Sequence, residues 1–329
     1  MGIPTRFNRI LLKRLGSALG LAMLAGGPAF AGNLVITPTF AANVDTFFGA
    51  NAGAFKNAFN IAAANFTNVY NDPIHVNIAV DAVSGTSILG QSSTSIFSLS
   101  YTSLRNAVFT DAKTSDDLVT TGAGGSVSST STDPLGASTH NYWVTKAQRK
   151  ALGLAADDLN SDGTVTLGAG FLYDFDPSNG VAAGAIDIVG VFMHEISEVM
   201  GRIGISGGNV AGAPSYTLLD LLSYKSAGVR GMGNDGGNWL SIDNGSTLLK
   251  QFNNNAALGG DSRDWASGSI DSFNAFSTSG VVSGFTAVDV RAMDVIGYDL
   301  ATPEPASVVL MLSALTGLAL LRRRKAMAN

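Results

Sequence analysis

The sequence predicts an α+β domain, with a mixed β-sheet early in the chain and helices later. Phenylalanine and alanine recur at helical spacing over residues 54–69. Residues 74–80 alternate apolar and polar side chains over most of their length, which is typical of a half-buried strand. Residues 188–200 are largely apolar and stop at Gly201, the residue type at which helices commonly end.

Weaker patterns predict the other elements. In chain order they are a strand at 34–37, an exposed loop or irregular hairpin at 114–138, a short helix opened by a capping-box pattern at 145–148 and ending near 153, a strand or hairpin at 164–175, a short helix at 214–224, a strand at 239–243 and a helix at 287–296. About 270 residues between the two chain ends are enough to bury a core, and we expect one domain over 32–302.

The two chain ends predict export. Residues 1–31 contain a basic segment, a short apolar segment and an Ala-Phe-Ala cleavage site, the three parts of a secretory signal peptide. The apolar segment is too short to span a bilayer stably, so we expect signal peptidase to remove it.

The other end, residues 303–329, has Pro-Glu-Pro, an apolar stretch at 306–321 and four basic residues. Positive charge after the stretch favours a cytoplasmic tail. An ordinary single-pass anchor is one interpretation. The order of elements resembles the PEP-CTERM sorting signal, which implies transient anchoring in the inner membrane by 306–321, cleavage by an exosortase and delivery to the surface or matrix of a Gram-negative bacterium.

The charge of the part between the ends is strongly negative. The two ends hold eight of the 20 basic residues and one of the 25 acidic ones, which leaves 12 and 24, a net charge of −12 for 32–302. This argues against nucleic acid or anionic lipid as a partner. The chain has no cysteine, which excludes disulfides, thiolate metal sites and a cysteine nucleophile.

The predicted helix at 188–200 carries a metal-site pattern. His194 and Glu198 are four residues apart and project from one face, where they could hold one ion. Glu195 follows the first ligand, where its carboxylate could take a proton from water, as in H-E-x-x-H helices. A glutamate as the second ligand is compatible with zinc but favours harder divalent ions more than histidine does.

Motifs along nearly all of 32–302 resemble a PEP-CTERM-associated family of metzincin-like zinc metalloproteases, or zincins. They are Ala-Leu-Gly-Leu at 151–154, Asp-Gly-Thr at 162–164, Tyr-Asp-Phe-Asp-Pro at 173–177, His-Glu-Ile at 194–196, Leu-Asp-Leu-Leu-Ser-Tyr at 219–224, Ser-Ile-Asp at 241–243, Gly-Asp at 260–261, Asp-Trp at 264–265 and Met-Asp-Val-Ile-Gly-Tyr at 293–298. The resemblance implies a zincin-like fold with an active-site helix and zinc-dependent peptide hydrolysis. The chain departs from the family at Glu198, where a histidine is expected, and at Gly204, where a third histidine often stands.

A third ligand must come from another part of the chain. Asp220 is the candidate, because it follows on a predicted helix at a separation that resembles the acidic ligand of thermolysin-like zincins. The alternative is that Asp220 is a hydrogen-bonded acid that orients His194.

A second cation site is suggested by Asp158, Asn160 and Asp162, which match the first half of a D-x-N-x-D-G calcium loop. Ala169 stands where the loop needs its last acidic ligand, so an ordinary turn rich in Asp and Asn is the alternative.

Two functions from different classes remain open. One is an exported metal-dependent peptidase that acts on protein or peptide substrates. The other is a catalytically degenerate zincin-fold protein with a structural or adhesive role at the surface. A calcium-stabilised binding module is a third hypothesis. The sequence has no phosphate loop or basic aromatic stripe, so nucleotide and nucleic-acid functions have no support.

Overall fold

The structure is a computed structural model that describes residues 33–128, 130–136, 140–233, 236–253, 260–268 and 270–301. Within these ranges, no helix has both the length and the apolar character needed to cross a membrane. The predicted signal peptide at 1–31 and the predicted sorting signal at 303–329, with its apolar stretch, lie outside the described residues.

The described chain alternates short strands and helices. The helices are α1 (Ala42–Phe48), α2 (Ala52–Thr67), α3 (Tyr101–Asp111), α4 (Ser115–Thr121), α5 (Lys146–Ala151), α6 (Ile188–Val199), α7 (Leu218–Leu221) and α8 (Ala287–Val295). The strands are β1 (Val35–Phe40), β2 (His75–Val83), β3 (Gly90–Thr94), β4 (Ile96–Leu99), β5 (Asn141–Thr145), β6 (Gly163–Gly168), β7 (Tyr173–Asp174), β8 (Ile186–Asp187), β9 (Asn209–Val210), β10 (Ala213–Thr217), β11 (Ser223–Ser226), β12 (Val229–Arg230), β13 (Trp239–Leu240) and β14 (Lys250–Gln251).

The main sheet has the strand order β1-β2-β6-β3. β1, β2 and β6 run parallel, whereas β3 runs antiparallel to β6 at the edge. Alternate side chains of β2 are fully buried, as the alternation in the sequence predicts. The sheet is therefore mixed, and the α+β class predicted from the sequence is confirmed.

Helices α2 and α6 pack against each other through aromatic rings. The ring of Phe192 on α6 lies 4.9 Å from that of Phe55 and 5.3 Å from that of Phe59, both in edge-to-face contact. All three side chains are fully buried. Helix α6 also packs against β3 and β6, so these contacts fix the helix that carries the metal-site pattern beneath the edge of the sheet.

Smaller sheets complete the domain. β4-β5-β10-β9 is mixed, β12-β11-β13-β14 is antiparallel, and the short parallel pair β7-β8 leads directly into α6. Near the end of the described chain, Tyr298 donates from its hydroxyl to the carbonyl of Met200, which ties the segment after α8 to the end of α6.

Two secondary-structure predictions were wrong. The predicted helix at 214–224 is strand β10, one helical turn and strand β11, because β10 pairs with the distant strand β5. The predicted loop at 114–138 contains α4, which Thr114 and Asp117 open with a reciprocal capping box. In the first case pairing with a distant strand decides the structure, and in the second case local capping does.

Candidate metal site

Helix α6 is fixed at both ends. At its start, the carboxylate of Asp187 accepts hydrogen bonds from the backbone N–H groups of Val189 and Gly190. At its end, Gly201 has a φ of +119°, a left-handed conformation that glycine adopts easily, and the backbone N–H of Arg202 bonds back to Ser197. His194 is the one residue of α6 that is not buried. The helix therefore presents a single imidazole to solvent.

A hydrogen bond at Nδ1 fixes the tautomer of the His194 ring. Nδ1 lies 2.9 Å from the backbone carbonyl oxygen of Ser272. A carbonyl oxygen only accepts hydrogen bonds, so Nδ1 must carry a proton. Nε2 is thereby left to bind a ligand, and 16 % of the side chain is exposed. This is the arrangement by which proteins orient metal-binding histidines.

Two carboxylates converge on Nε2 of His194. Oε1 of Glu198 is 3.4 Å away and Oδ1 of Asp264 is 3.6 Å away. One ligand atom from each of the three residues lies within 4.8 Å of the other two. A tetrahedral zinc ion with bonds of 2.0–2.2 Å places its ligand atoms about 3.3–3.6 Å apart. The two distances to Nε2 of His194 match that spacing, and the two carboxylate oxygens lie within 4.8 Å of each other.

The charges around His194 favour a cation at this point. Burial disfavours the charged imidazolium, but Asp264 and Glu198 outweigh it and raise the pKa of His194 to about 10. Burial would also raise the pKa of Glu198, whereas His194 and Arg202 lower it to about 2. Ser92 on β3 donates a hydrogen bond of 2.7 Å to Oε2 of Glu198. Glu198 is thus held ionised, with its other oxygen directed toward His194.

Glu195 lies next to this cluster in a tight apolar setting. Only 5 % of the residue is exposed. A Cβ atom at position 90 would lie 2.2 Å from Oε1 of Glu195, so the carboxylate occupies the space beside the bare backbone of Gly90. Burial, assisted by the charge of Glu198, raises the pKa of Glu195 to about 8. A carboxylate with its pKa near neutrality is suited to take and return a proton.

Asp264 is held in place by its neighbours in the chain. Trp265 is fully buried and donates from its indole nitrogen to Asp289 at 2.6 Å. The carboxylate of Asp264 accepts a 2.6 Å hydrogen bond from Nη1 of Arg202. Sequence reasoning missed Asp264 as a ligand, although it belongs to the Asp-Trp pair at 264–265 that contributes to the zincin resemblance. Its position far along the chain from α6 gives no spacing by which to choose it.

The structure does not bring Asp220, the predicted third ligand, into the group of His194, Glu198 and Asp264. Its carboxylate is fully buried and accepts hydrogen bonds from the backbone N–H groups of Ile205, Ser206 and Thr217. Nε of Arg263 donates to its other oxygen at 2.7 Å. These bonds occupy the carboxylate, and they fix the residue that precedes Asp264.

Gly204, where the family often has a histidine, is covered by this same arginine. A Cβ atom at position 204 would lie 2.1 Å from Cγ of Arg263. The packing of Arg263 therefore leaves no room for a side chain at this position, and the third residue that could hold an ion is Asp264.

The predicted calcium loop holds a lysine. Nζ of Lys146 lies 2.9 Å from Oδ1 of Asp158 and 3.2 Å from each of the backbone oxygens of Asn160 and Ser161. Asp162 is buried and pairs with Lys150 at 2.8 Å. The ammonium groups take the places at these oxygens that a calcium ion would need, so the turn satisfies its charges within the chain.

The remaining histidines lie outside the cluster. His75 pairs with Asp157 at 2.6 Å, and His140 lies 3.5 Å from Asp133. Among the described residues, the cluster of His194, Glu198 and Asp264 is the one group of three that could hold a metal ion.

Comparison with known proteins identifies no family for the chain. No protein-family model matches the sequence, and no match was found among curated proteins or solved structures.

Proposed function

We propose that residues 32–302 form an exported zincin-like metallopeptidase that hydrolyses peptide bonds. The observation that carries the proposal is the convergence of Glu198 and Asp264 on the available nitrogen of His194 at distances of 3.4 and 3.6 Å. These two separations match those between ligand atoms of a tetrahedral zinc ion. Another divalent ion would fit the same oxygen-rich set.

Each residue has a distinct role in this mechanism. His194, Glu198 and Asp264 would hold the ion. When bound, the ion supplies Lewis acidity, which makes water nucleophilic near neutral pH. Glu195 takes a proton from the attacking water and returns it to the leaving amine, for which the pKa of about 8 is suitable. Ser272 and Ser92 orient His194 and Glu198.

The edge of the main sheet supports a peptide as the substrate. β3 pairs with β6 on one side, and no strand among the described residues pairs with its other side. The same strand contacts the candidate ligand Glu198 through Ser92 and lies against Glu195 at Gly90. An extended peptide that adds to this edge as a further strand would pass beside the cluster.

One observation favours the alternative, a catalytically degenerate surface protein with this fold and a structural or adhesive role. Arg202 already forms a 2.6 Å ion pair with Asp264, so the cluster contains a permanent positive charge without any metal. In that case the four charged groups would be a structural ion-pair network.

Metal content separates the two functions. Purified protein of residues 32–302, offered zinc during refolding, is expected to contain about one zinc per chain by elemental analysis, and His194→Ala is expected to lose it. Glu195→Gln should keep the zinc while hydrolysis of casein falls by at least about 100-fold. If the wild type bound no transition metal, the alternative, a catalytically degenerate surface protein, would be supported instead. Full hydrolysis by zinc-loaded Glu195→Gln would remove Glu195 from its role.

The proposal includes processing at both chain ends. Signal peptidase would expose Gly32, and an exosortase would remove the segment after 302, which leaves the acidic domain at the cell surface or outside the cell. Intact-mass measurement of the protein released by a Gram-negative producer would check both cuts. A mature protein that retains 306–321 would instead be a membrane-anchored form.

A further inference from the structure

Arg202 is the unusual feature of the candidate metal site. It follows Glu198 by four residues, and its side chain is fully buried. Nη1 lies 2.6 Å from Asp264 and Nη2 lies 3.6 Å from Oε1 of Glu198. Its guanidinium therefore contacts both carboxylates that would hold the ion.

The guanidinium is fixed by contacts outside the carboxylates. Nε donates to the hydroxyl of Ser197 at 2.7 Å, and the guanidinium carbon lies 4.5 Å from the centre of the Phe273 ring. Nη2 has no hydrogen-bond partner among the described residues, and its ion pair with Glu198 is longer than a hydrogen bond, at 3.6 Å. Because the guanidinium is buried, its charge acts on the site with less screening than a surface charge would.

The charge count explains why a buried arginine is placed here. A catalytic zinc site with two neutral histidines and one carboxylate gives the ion a ligand charge of −1. With an ion bound, the neutral imidazole of His194 and the carboxylates of Glu198 and Asp264 would give −2. The positive charge of Arg202 returns the total to −1. The glutamate and the arginine together thus carry the same net charge as a neutral histidine.

We propose that Arg202 offsets the charge of Glu198, so that the pair replaces a histidine ligand electrostatically. The inference rests on the proposed metal site and concerns its charge. It makes Arg202 a residue that tunes the site through its carboxylate ligands, without contact to the ion or the substrate. It also predicts that changes at 198 and 202 have opposite effects on metal affinity.

A double-variant cycle on zinc affinity tests this proposal. Arg202→Met removes the positive charge, and we expect zinc to bind on the order of tenfold more tightly, since the site becomes more negative. Glu198→His keeps a ligand but removes one of the two negative charges beside Arg202, and zinc should bind on the order of tenfold more weakly. The double variant should return to within a few-fold of the wild type. Competition with a chromophoric chelator measures all four dissociation constants without an activity assay.

The matched control is Arg291→Met. Arg291 pairs with Asp116 on α4 at 2.5 Å and is absent from the metal cluster, so the same change in total charge there should leave zinc affinity unchanged. If Arg202→Met does not fold, Glu198→His still tests the proposal by itself. Affinity equal to that of the wild type in Glu198→His would overturn it, as would weaker binding in folded Arg202→Met.

The outcomes distinguish this inference from the proposed function. Absence of zinc from the wild type would end both. Zinc binding by the wild type, with effects of the same sign in both single variants, would keep the metal site and discard the charge offset.

As a further measurement, zinc-loaded Arg202→Met should show the acid limb of its pH–rate profile shifted to higher pH, because a more negative site makes the attacking water less acidic. A purely structural role for Arg202 would lower activity without moving that limb.

Discussion

Gly90 and Glu195 are in direct contact across the edge of the main sheet: a Cβ atom at position 90 would lie 2.2 Å from Oε1 of Glu195. The backbone of Gly90 has an ordinary conformation, since its φ is not positive. The missing side chain is therefore a matter of space. The glycine leaves room for the carboxylate that we propose as the general base.

Gly90→Ala should separate catalysis from metal binding. The added methyl group would lie 2.2 Å from Oε1 of Glu195 and 2.9 Å from Cγ1 of Val191, so both side chains would have to shift and the Glu195 carboxylate would be displaced. We expect zinc content to remain at about one per chain and hydrolysis of casein to fall about 100-fold. Gly53→Ala is the control, because no atom lies within 4 Å of the added carbon there. Unchanged hydrolysis in Gly90→Ala would mean that the position of Glu195 is not critical.

Ser92→Ala should weaken metal binding. The variant removes the 2.7 Å hydrogen bond that orients Oε2 of Glu198. Loss of a group that orients a metal ligand typically reduces metal affinity by about 10–100-fold. Ser93→Ala is the matched control, since Ser93 is the neighbouring, exposed residue of the same strand. Equal zinc dissociation constants for Ser92→Ala and Ser93→Ala would show that Ser92 does not contribute to metal binding.

The helix that carries the site could be predicted from the sequence, whereas the third candidate ligand could not. Apolar periodicity, the stop at Gly201 and the four-residue spacing of His194 and Glu198 are local features, and the structure has all of them. The choice between Asp220 and Asp264 depends on tertiary contacts. Arg263 and three backbone N–H groups occupy the first carboxylate, and Arg202 directs the second toward His194. The pairing of Arg263 with Asp220 and of Arg202 with Asp264 cannot be predicted from their separation in the sequence.

The calcium-like turn illustrates the same limit. The residues at 158–163 fit the start of a calcium loop, and only the structure places Lys146, from a different element, among their oxygens. A short motif specifies which ligands are available. It does not specify whether a cation of the chain already holds them.

Calcium should therefore leave the wild-type protein unchanged. Because the ammonium of Lys146 holds Asp158 and the backbone oxygens of Asn160 and Ser161, we expect no rise in melting temperature when millimolar Ca²⁺ is added. Lys146→Met should melt at a lower temperature than the wild type, because the oxygens lose their partner. Differential scanning fluorimetry with and without Ca²⁺ measures both. A clear Ca²⁺-dependent rise in the wild type, retained in His194→Ala, would restore the calcium hypothesis.

The acidic cavity between α3, α5 and the end of the described chain should contribute to the pH dependence of stability. Asp72, Asp111 and Asp299 line this cavity of about 240 Å³ together with Lys113. Burial and the neighbouring carboxylates raise the pKa of Asp111 to about 8, and burial together with Asp299 raises that of Asp72 to about 7. These carboxyl groups keep protons in the folded state that they release near pH 4 when unfolded.

Between about pH 4 and 8 the folded state consequently binds more protons than the unfolded state, so the free energy of unfolding falls as pH rises. Each excess proton contributes a slope of about 1.4 kcal/mol per pH unit. We expect the metal-free protein to resist urea better at pH 5 than at pH 8, and Asp111→Asn to reduce that difference. Asp45→Asn is the control, because Asp45 is 63 % exposed and pairs with Lys56 away from the cavity. If Asp111→Asn and Asp45→Asn gave the same dependence on pH as the wild type, Asp111 would not hold its proton in the folded state.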